Sequence, residues 1–186
     1  MAGLPLLLER ITNLLRAEQR DSGLDTALQP VHLSSLLYLS RANHYSDTPA
    51  GVTEYLGATK GTVSQSLLVL QRRGLIAKRP DGQDRRVIHL ELTDLGKRLL
   101  DQSWPSPRVR EAVEALPEPR RKLLEETLRE LLGSLQKANR SRSFGVCKTC
   151  SLFERLEGNR FRCGLTSEPL SKEQSEKICR EHEPAA

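Results

Sequence analysis

Val52-Thr-Glu-Tyr-Leu-Gly57-Ala-Thr-Lys-Gly-Thr62-Val-Ser-Gln-Ser-Leu67-Leu-Val-Leu-Gln-Arg72-Arg-Gly-Leu-Ile-Ala77-Lys-Arg-Pro-Asp-Gly82-Gln-Asp-Arg-Arg-Val87-Ile-His-Leu-Glu-Leu92-Thr-Asp-Leu95 decides the fold. Val52, Tyr55 and Leu56 give one apolar face to a short helix, and Gly57 stands where that helix would stop. Thr59 suits the N-cap of a second helix that starts near Lys60. Within it Val63, Leu67 and Leu70 recur at i, i+4 and i+7, a stripe that faces a core. Thr62, Ser64, Gln65 and Ser66 fall off the stripe, and Gly74 closes the helix. Two β-prone runs, Leu75 to Arg79 and Val87 to Leu92, then bracket the turn-rich tip Pro80-Asp81-Gly82-Gln83-Asp84.

Helix, turn, helix and basic hairpin in that order are the parts of a winged helix-turn-helix. Short hydroxyls and an amide on the second helix can approach base edges in a major groove, and a lysine at its start can neutralise a phosphate. The DNA-contacting set read from this stretch is Thr59, Lys60, Thr62, Ser64, Gln65 and Ser66 on the helix, with Arg79, Gln83, Arg85 and Arg86 on the hairpin. Charge supports a phosphate footprint. Residues 71–98 hold eight Lys/Arg against four acids, an excess of four in a chain whose net charge is +5. A basic balance gathered in one hairpin fits a polyanion better than a generally solvated surface. A winged helix used only for protein contacts is the competing reading.

The segment resembles the DNA-binding domain of the MarR family, bacterial transcription factors that bind operators as homodimers. Three runs carry the likeness: Leu70-Gln71-Arg72-Arg73-Gly74-Leu75-Ile76, Asp81-Gly82-Gln83-Asp84-Arg85-Arg86 at the tip, and Leu92-Thr93-Asp94-Leu95-Gly96 at the exit. It spans roughly residues 5 to 138 and is strongest over 50–98. The resemblance implies that Asp84 and Arg86 brace the wing and that nearby arginines contact DNA. It also implies that the first and last helices interlock across a dimer two-fold, and that small-molecule pockets lie between the reading head and the helical base. No residue here marks such an effector. The proline-broken stretch after Leu100 departs from the long helix of many members.

Reading outward, Leu4, Leu7, Leu8, Ile11, Leu14 and Leu15 mark one helix face, and Glu9 and Arg10 interrupt the run too early for a secretory signal. No apolar run is long enough for a bilayer, so the expected location is cytoplasmic, without a membrane partner. Leu28 to Ser40 carries a second helical pattern that would support the helix-turn-helix. Asp94 to Gln102 continues as a helix until Trp104-Pro105-Ser106-Pro107 breaks it. The pattern resumes at Val109, Ala112, Val113 and Leu116, and Pro117-Glu118-Pro119 can open the next helix. From Arg120 to Ala138 the leucines 123, 124, 128, 131, 132 and 135 form a stripe that needs cover. A second copy provides it in a homodimer; a hairpin with the first helix is the intrachain alternative. A two-fold dimer sets two recognition helices about 34–36 Å apart and so reads a pseudo-palindromic double-stranded operator.

Residues 1–138 are thus expected to form the DNA-binding and dimerisation domain, with its reading head at about 28–98. A polar linker covers 139–146, and a small module covers 147–186. All four cysteines lie in that module, Cys147, Cys150, Cys163 and Cys179, spaced C-x2-C-x12-C-x15-C, with the three phenylalanines at 144, 153 and 161 beside them. About forty residues seldom fold on their own apolar area. A metal centre held by four thiolates would supply the missing free energy. Structural zinc fits four cysteines. Single cysteines at 163 and 179 with interleaved aromatics fit an iron–sulfur cluster as well, the side to which the reading leans. A redox-switched Cys147–Cys150 disulfide is a further alternative. His182 is read as a bystander, as are His32, His44 and His89, taken as surface or capping residues.

The expected architecture is mainly α with a small β-wing, joining a winged helix-turn-helix, dimerisation helices and a metal-stapled four-cysteine module. The expected protein is a DNA-binding transcriptional regulator whose metal centre senses redox state, oxygen or metal by shifting the tail against the helix ending near Ala138. The alternative is a regulator or adaptor whose tail is a structural zinc staple or a protein-interaction module. An enzyme is not expected: Gly57-Ala58-Thr59-Lys60-Gly61-Thr62 lacks the glycine spacing and preceding buried strand of a phosphate loop, and no cofactor fingerprint appears.

Overall fold

A computed structural model describes residues 3–21, 28–82, 84–139 and 142–184. Helix α1 (Gly3–Asp21) precedes α2 (Pro30–Arg41), the scaffold of the head. The helix-turn-helix follows as α3 (Pro49–Leu56) and α4 (Lys60–Arg72). Helix α3 starts three residues before Val52, because the Thr48 hydroxyl accepts from Gly51 N and Pro49 takes the first helical position, where its missing N–H costs nothing. Gly57 ends it in the left-handed region, φ 59°. Thr59 caps α4 by accepting from Thr62 N, 3.2 Å. At its far end Gly74 (φ 66°) lets Leu75 N reach back to Leu70 O, 2.9 Å.

That turn launches β1 (Ile76–Pro80), which pairs antiparallel with β2 (Ile88–Leu92) in the register Ile76↔Leu92 to Pro80↔Ile88. Leu36, Val52, Val63, Leu67, Leu70, Ile76, Leu90 and Leu100 close one apolar core behind the wing. Helix α5 (Asp94–Ser103) packs on it so closely that a Cβ on Gly96 would stand 2.1 Å from Leu75 O. Then come α6 (Pro107–Glu114) and α7 (Glu118–Ala138).

Leu4, Leu6, Leu7, Ile11 and Leu14 of α1 and Leu123, Leu124, Leu128, Leu132 and Leu135 of α7 are each at least 44% exposed. The intrachain hairpin between these helices therefore does not cover their leucines. No helix among the described residues is long and apolar enough to cross a membrane.

The last segment is folded. Strands β3 (Phe153–Leu156), β4 (Arg160–Cys163) and β5 (Pro169–Leu170) form a small antiparallel sheet, and a single helical turn, α8 (Lys172–Ser175), follows. Its own core is Cys147, Leu170 and Cys179 with Phe153, Phe161, Cys163 and Tyr45, the last contributed by the head.

Candidate nucleic-acid interface and cysteine cavity

The reading surface is built as the sequence order implies, with one exception. Thr59, Lys60, Thr62, Ser64 and Gln65 lie exposed along α4, and Arg79, Arg85 and Arg86 along the wing. Ser66 does not belong with them. It is 4% exposed, and its hydroxyl donates to Thr62 O at 2.8 Å. Ser66 follows Val63 by three and precedes Leu70 by four, so it falls on the core stripe despite its polarity. Gln83 lies outside the described residues.

Helix α4 opens with Lys60 and has no acid in its first turn. A lysine facing the positive end of the helix dipole does not stabilise the helix, but it suits an anion docking there.

The wing tip is stiffened from within. Arg86 donates through its backbone N and Nε to Asp84 Oδ1, 3.0 and 3.1 Å, and through a terminal nitrogen to Oδ2, 3.1 Å. These hydrogen bonds hold the Asp84 carboxyl below its ordinary range. The Arg79 guanidinium meets Glu91 across the ladder at 3.0 Å. Arg85 is exposed.

His89 has a definite job that its strand context did not reveal. Its Nδ1 lies 2.5 Å from Asp47 Oδ1 and its Nε2 3.1 Å from Asp81 Oδ2, so one imidazole ties the wing to the loop before α3. Burial pushes its pKa down, but the bonds to Asp47 and Asp81 outweigh that and hold it above the usual histidine value. Leu90 N adds a backbone bond to Asp47 O, 2.7 Å. His32 is a capping residue but not a surface one: it is 6% exposed, with Nδ1 accepting from Gln29 N at 2.9 Å. Nδ1 of His44 lies 3.2 Å from Gln174 Oε1.

The four cysteines, spread over 33 positions of sequence, surround one cavity. Cys147, Cys150, Cys163 and Cys179 line a space of about 30 Å³ together with Tyr45 and Phe153. All four stand as free thiols in this structure. Burial, and then the neighbouring Cys179, Cys163 and Cys150, push the Cys147 thiol up to about 12. Among the described residues no three His, Cys, Asp or Glu side chains stand close enough together to ligate an ion as they are. His182 lies apart from the cavity, its ring held by Ser143 Oγ (2.7 Å) and Thr149 Oγ1 (3.0 Å).

The module docks on the head rather than hanging from α7. Ile178 bridges both Ala42 and Val146; its N donates to Arg41 O at 2.7 Å, and its O accepts from Asn43 N at 2.9 Å. Arg180 N donates to Ser46 Oγ (2.7 Å), and the Arg180 guanidinium grips Glu54 of α3 at 2.6 and 2.8 Å. The connection to α7 is slighter: Gln136 Nε2 donates to Ser143 O at 2.9 Å. Phe144 completes an aromatic cluster with Tyr38 and Tyr55, centroids 6.0 and 5.2 Å away. The contacts of Ile178 and Arg180 with the 41–54 segment span more than 100 residues, and no local pattern announces them.

Comparison with known proteins agrees with this geometry. Residues 28–87, from α2 through the wing tip, match the MarR family. The sequence is 28% identical to the transcriptional repressor MprA of Escherichia coli (strain K12) over 131 residues, 69% of this chain and 70% of the relative. The fold superposes on Streptococcus pneumoniae FabT in complex with DNA (TM-score 0.56, 25% identity, 72% of this chain and 95% of that one). It superposes likewise on the Staphylococcus aureus MepR–DNA complex (TM-score 0.58, 24% identity, 73% and 100%). The head is thus a winged helix similar to the MarR family over residues 28–87, and the curated relative it matches is named a transcriptional repressor. Each superposition leaves about a quarter of this chain uncovered.

Proposed function

We infer that this chain is a transcriptional regulator that binds double-stranded DNA as a homodimer, placing α4 in the major groove and the wing tip along the backbone. The observation that carries it is the outward polar face Thr59–Gln65, backed by a closed core and flanked by the Asp84-braced arginine tip. Phosphate contacts from Lys60 and Arg85 set the register, and Ser64 and Gln65 are placed for base edges. The exposed leucines of α1 and α7 supply the self-complementary apolar faces that an isologous dimer buries.

Duplex binding tests the reading. An operator recovered from a random duplex library should show two half-sites one turn apart, and log affinity should fall linearly and steeply with log salt. Weak binding that ignores salt supports the adaptor reading instead. Sedimentation should give a dimer, and Leu128→Glu with Leu132→Glu should give a monomer with far weaker operator binding.

A groove of about 1310 Å³ between α7 and the 142–149 segment, bordered by Tyr55, Leu132 and His182, is the place offered to a small-molecule effector.

A further inference from the structure

We propose that Cys147, Cys150, Cys163 and Cys179 together ligate one thiophilic metal centre, a zinc ion or an iron–sulfur cluster, and that Asn43 of the reading head completes its surroundings. The centre thereby fixes the 42–48 loop, which carries both α3 and the anchor of the wing.

Four observations converge. The thiols come from three separate pieces of chain, Cys147 and Cys150 from one turn, yet all line one cavity whose remaining walls are largely apolar, so they share a site that water does not fill easily. Asn43 is wholly buried, and its Nδ2 has no regular hydrogen-bond partner. That amide lies beside the Cys179 sulfur, outside the geometry of a regular hydrogen bond. Its carbonyl is already used, accepting from Ser46 Oγ at 2.7 Å and Tyr45 N at 3.2 Å. A buried donor left idle is destabilising, and a metal-bound thiolate is the acceptor that would engage it. Backbone donors also face sulfur: Glu183 N reaches Cys150 Sγ at 3.3 Å, and Glu181 N faces Cys179. Such N–H groups tune thiolate-held metal centres.

Ligation is a proton-for-metal exchange in which each thiol that forms a sulfur–metal bond releases its proton, with no change of oxidation state at sulfur. It draws the thiols inward from the cavity rim, since zinc–sulfur bonds of about 2.3 Å set the spacing around a single ion.

The consequence for the head follows from connectivity. Cys179 follows Ile178, whose backbone is bonded to Arg41 and Asn43, and precedes Arg180, which holds Ser46 and Glu54. The next residue of the loop, Asp47, holds His89 and Leu90 of the wing. Sulfur and wing are thus separated by one short loop, a route different from the α7 displacement that the chain order suggests.

The test uses the full chain and needs no DNA, so it can fail while the DNA-reading assignment stands, or the reverse. Protein purified without oxygen is assayed for zinc, iron and acid-labile sulfide. Stripped protein is then reloaded with Zn²⁺ alone, with Co²⁺ alone, or with Fe²⁺ and sulfide. One zinc per chain with a sulfur-to-cobalt absorption band supports the proposal in its zinc form; a brown protein with iron and sulfide supports it in the cluster form. Substoichiometric metal in every arm overturns it. Amide exchange is read on the same loaded and stripped samples. Removal of metal should speed exchange at Asn43 and Ile178 about tenfold or more while Leu70 in α4 holds. Stoichiometric metal with unchanged exchange at Asn43 and Ile178 overturns the coupling. Both measurements run on the unmutated chain, so a cysteine variant that fails to fold does not obscure the answer.

Discussion

Residues 30–103 close an apolar core of their own, with Leu36, Val52 and Leu70 fully buried, whereas residues 142–184 bury only Cys147, Leu170 and Cys179 among their apolar side chains. The head is held by periodic leucines that any helix of that pattern would present. The module is held by what it leans on: Ala42 and Asn43 at Ile178, Ser46 and Glu54 at Arg180, and Tyr45 in the wall of the cysteine cavity. The buried residues of the head's apolar core all come from its own sequence. The module gains much of its cover by docking on its neighbour.

The largest effect should separate the two halves. Leu36→Ala removes a fully buried side chain from the head and should cost about 3 kcal/mol of unfolding free energy, with DNA binding failing at temperatures the parent tolerates. Leu170→Ala should loosen the module while helical circular dichroism and its main transition stay in place. If both variants lower one shared transition equally, the halves are a single cooperative unit and the contrast is wrong.

Next come the reading residues. Arg85→Ala should weaken duplex binding across sequences and lower the salt slope by about 1. Gln65→Ala should cost about 1 kcal/mol or more at one base position. Ser66→Ala should leave sequence preference untouched, because its hydroxyl is spent on Thr62 O. A change in preference from Ser66→Ala would put α4 in a different rotation from the one seen.

How far the chain could be read without coordinates differs between the halves for the same physical reason. Thr59, Gly57 and Gly74 act within four residues of themselves, so caps, turns and leucine stripes are legible locally, whereas the Asp84–Arg86 brace came only through the family resemblance. Ser66 misled because a small hydroxyl at a core position looks like a surface one; only its offset from Val63 and Leu70 corrects that. The gathering of the cysteines was foreseeable from their confinement beyond residue 146, but their seat on the 42–48 loop was not. Asn43 meets Cys179, and Tyr45 OH donates to Glu168 at 2.6 Å, across more than 120 positions. Those partners share no spacing that a one-dimensional pattern can register.

A smaller effect tests the docking. Arg180→Ala removes the grip on Glu54, but both side chains are partly open to solvent, so the loss should stay under about 1 kcal/mol. Its signature should be local, with faster amide exchange over 41–46 and no change in α4. A global loss of several kcal/mol would mean that the module supports the whole head and not one loop.

The smallest effect concerns pH at the other end of that loop. His89 faces Asp47 and Asp81, with Glu91 and His44 also acting on Asp47, and its folded pKa lies above the usual 6.5. A group raised in the folded state contributes stability that is fully present below the unfolded value and is lost as pH rises through the folded one. The wing should therefore be pinned most firmly in mildly acidic solution and loosen toward alkaline pH, with Asp47 itself raised chiefly by burial. The His89 ring resonance should titrate with a midpoint above 6.5, and exchange at Leu90, whose N donates to Asp47 O, should quicken over the same range. In His89→Gln, which keeps a polar side chain but cannot become a cation, the pH dependence at Leu90 should flatten. A midpoint at or below 6.5 would show that burial wins over the two carboxylates, leaving the tie between wing and loop to the backbone bond alone.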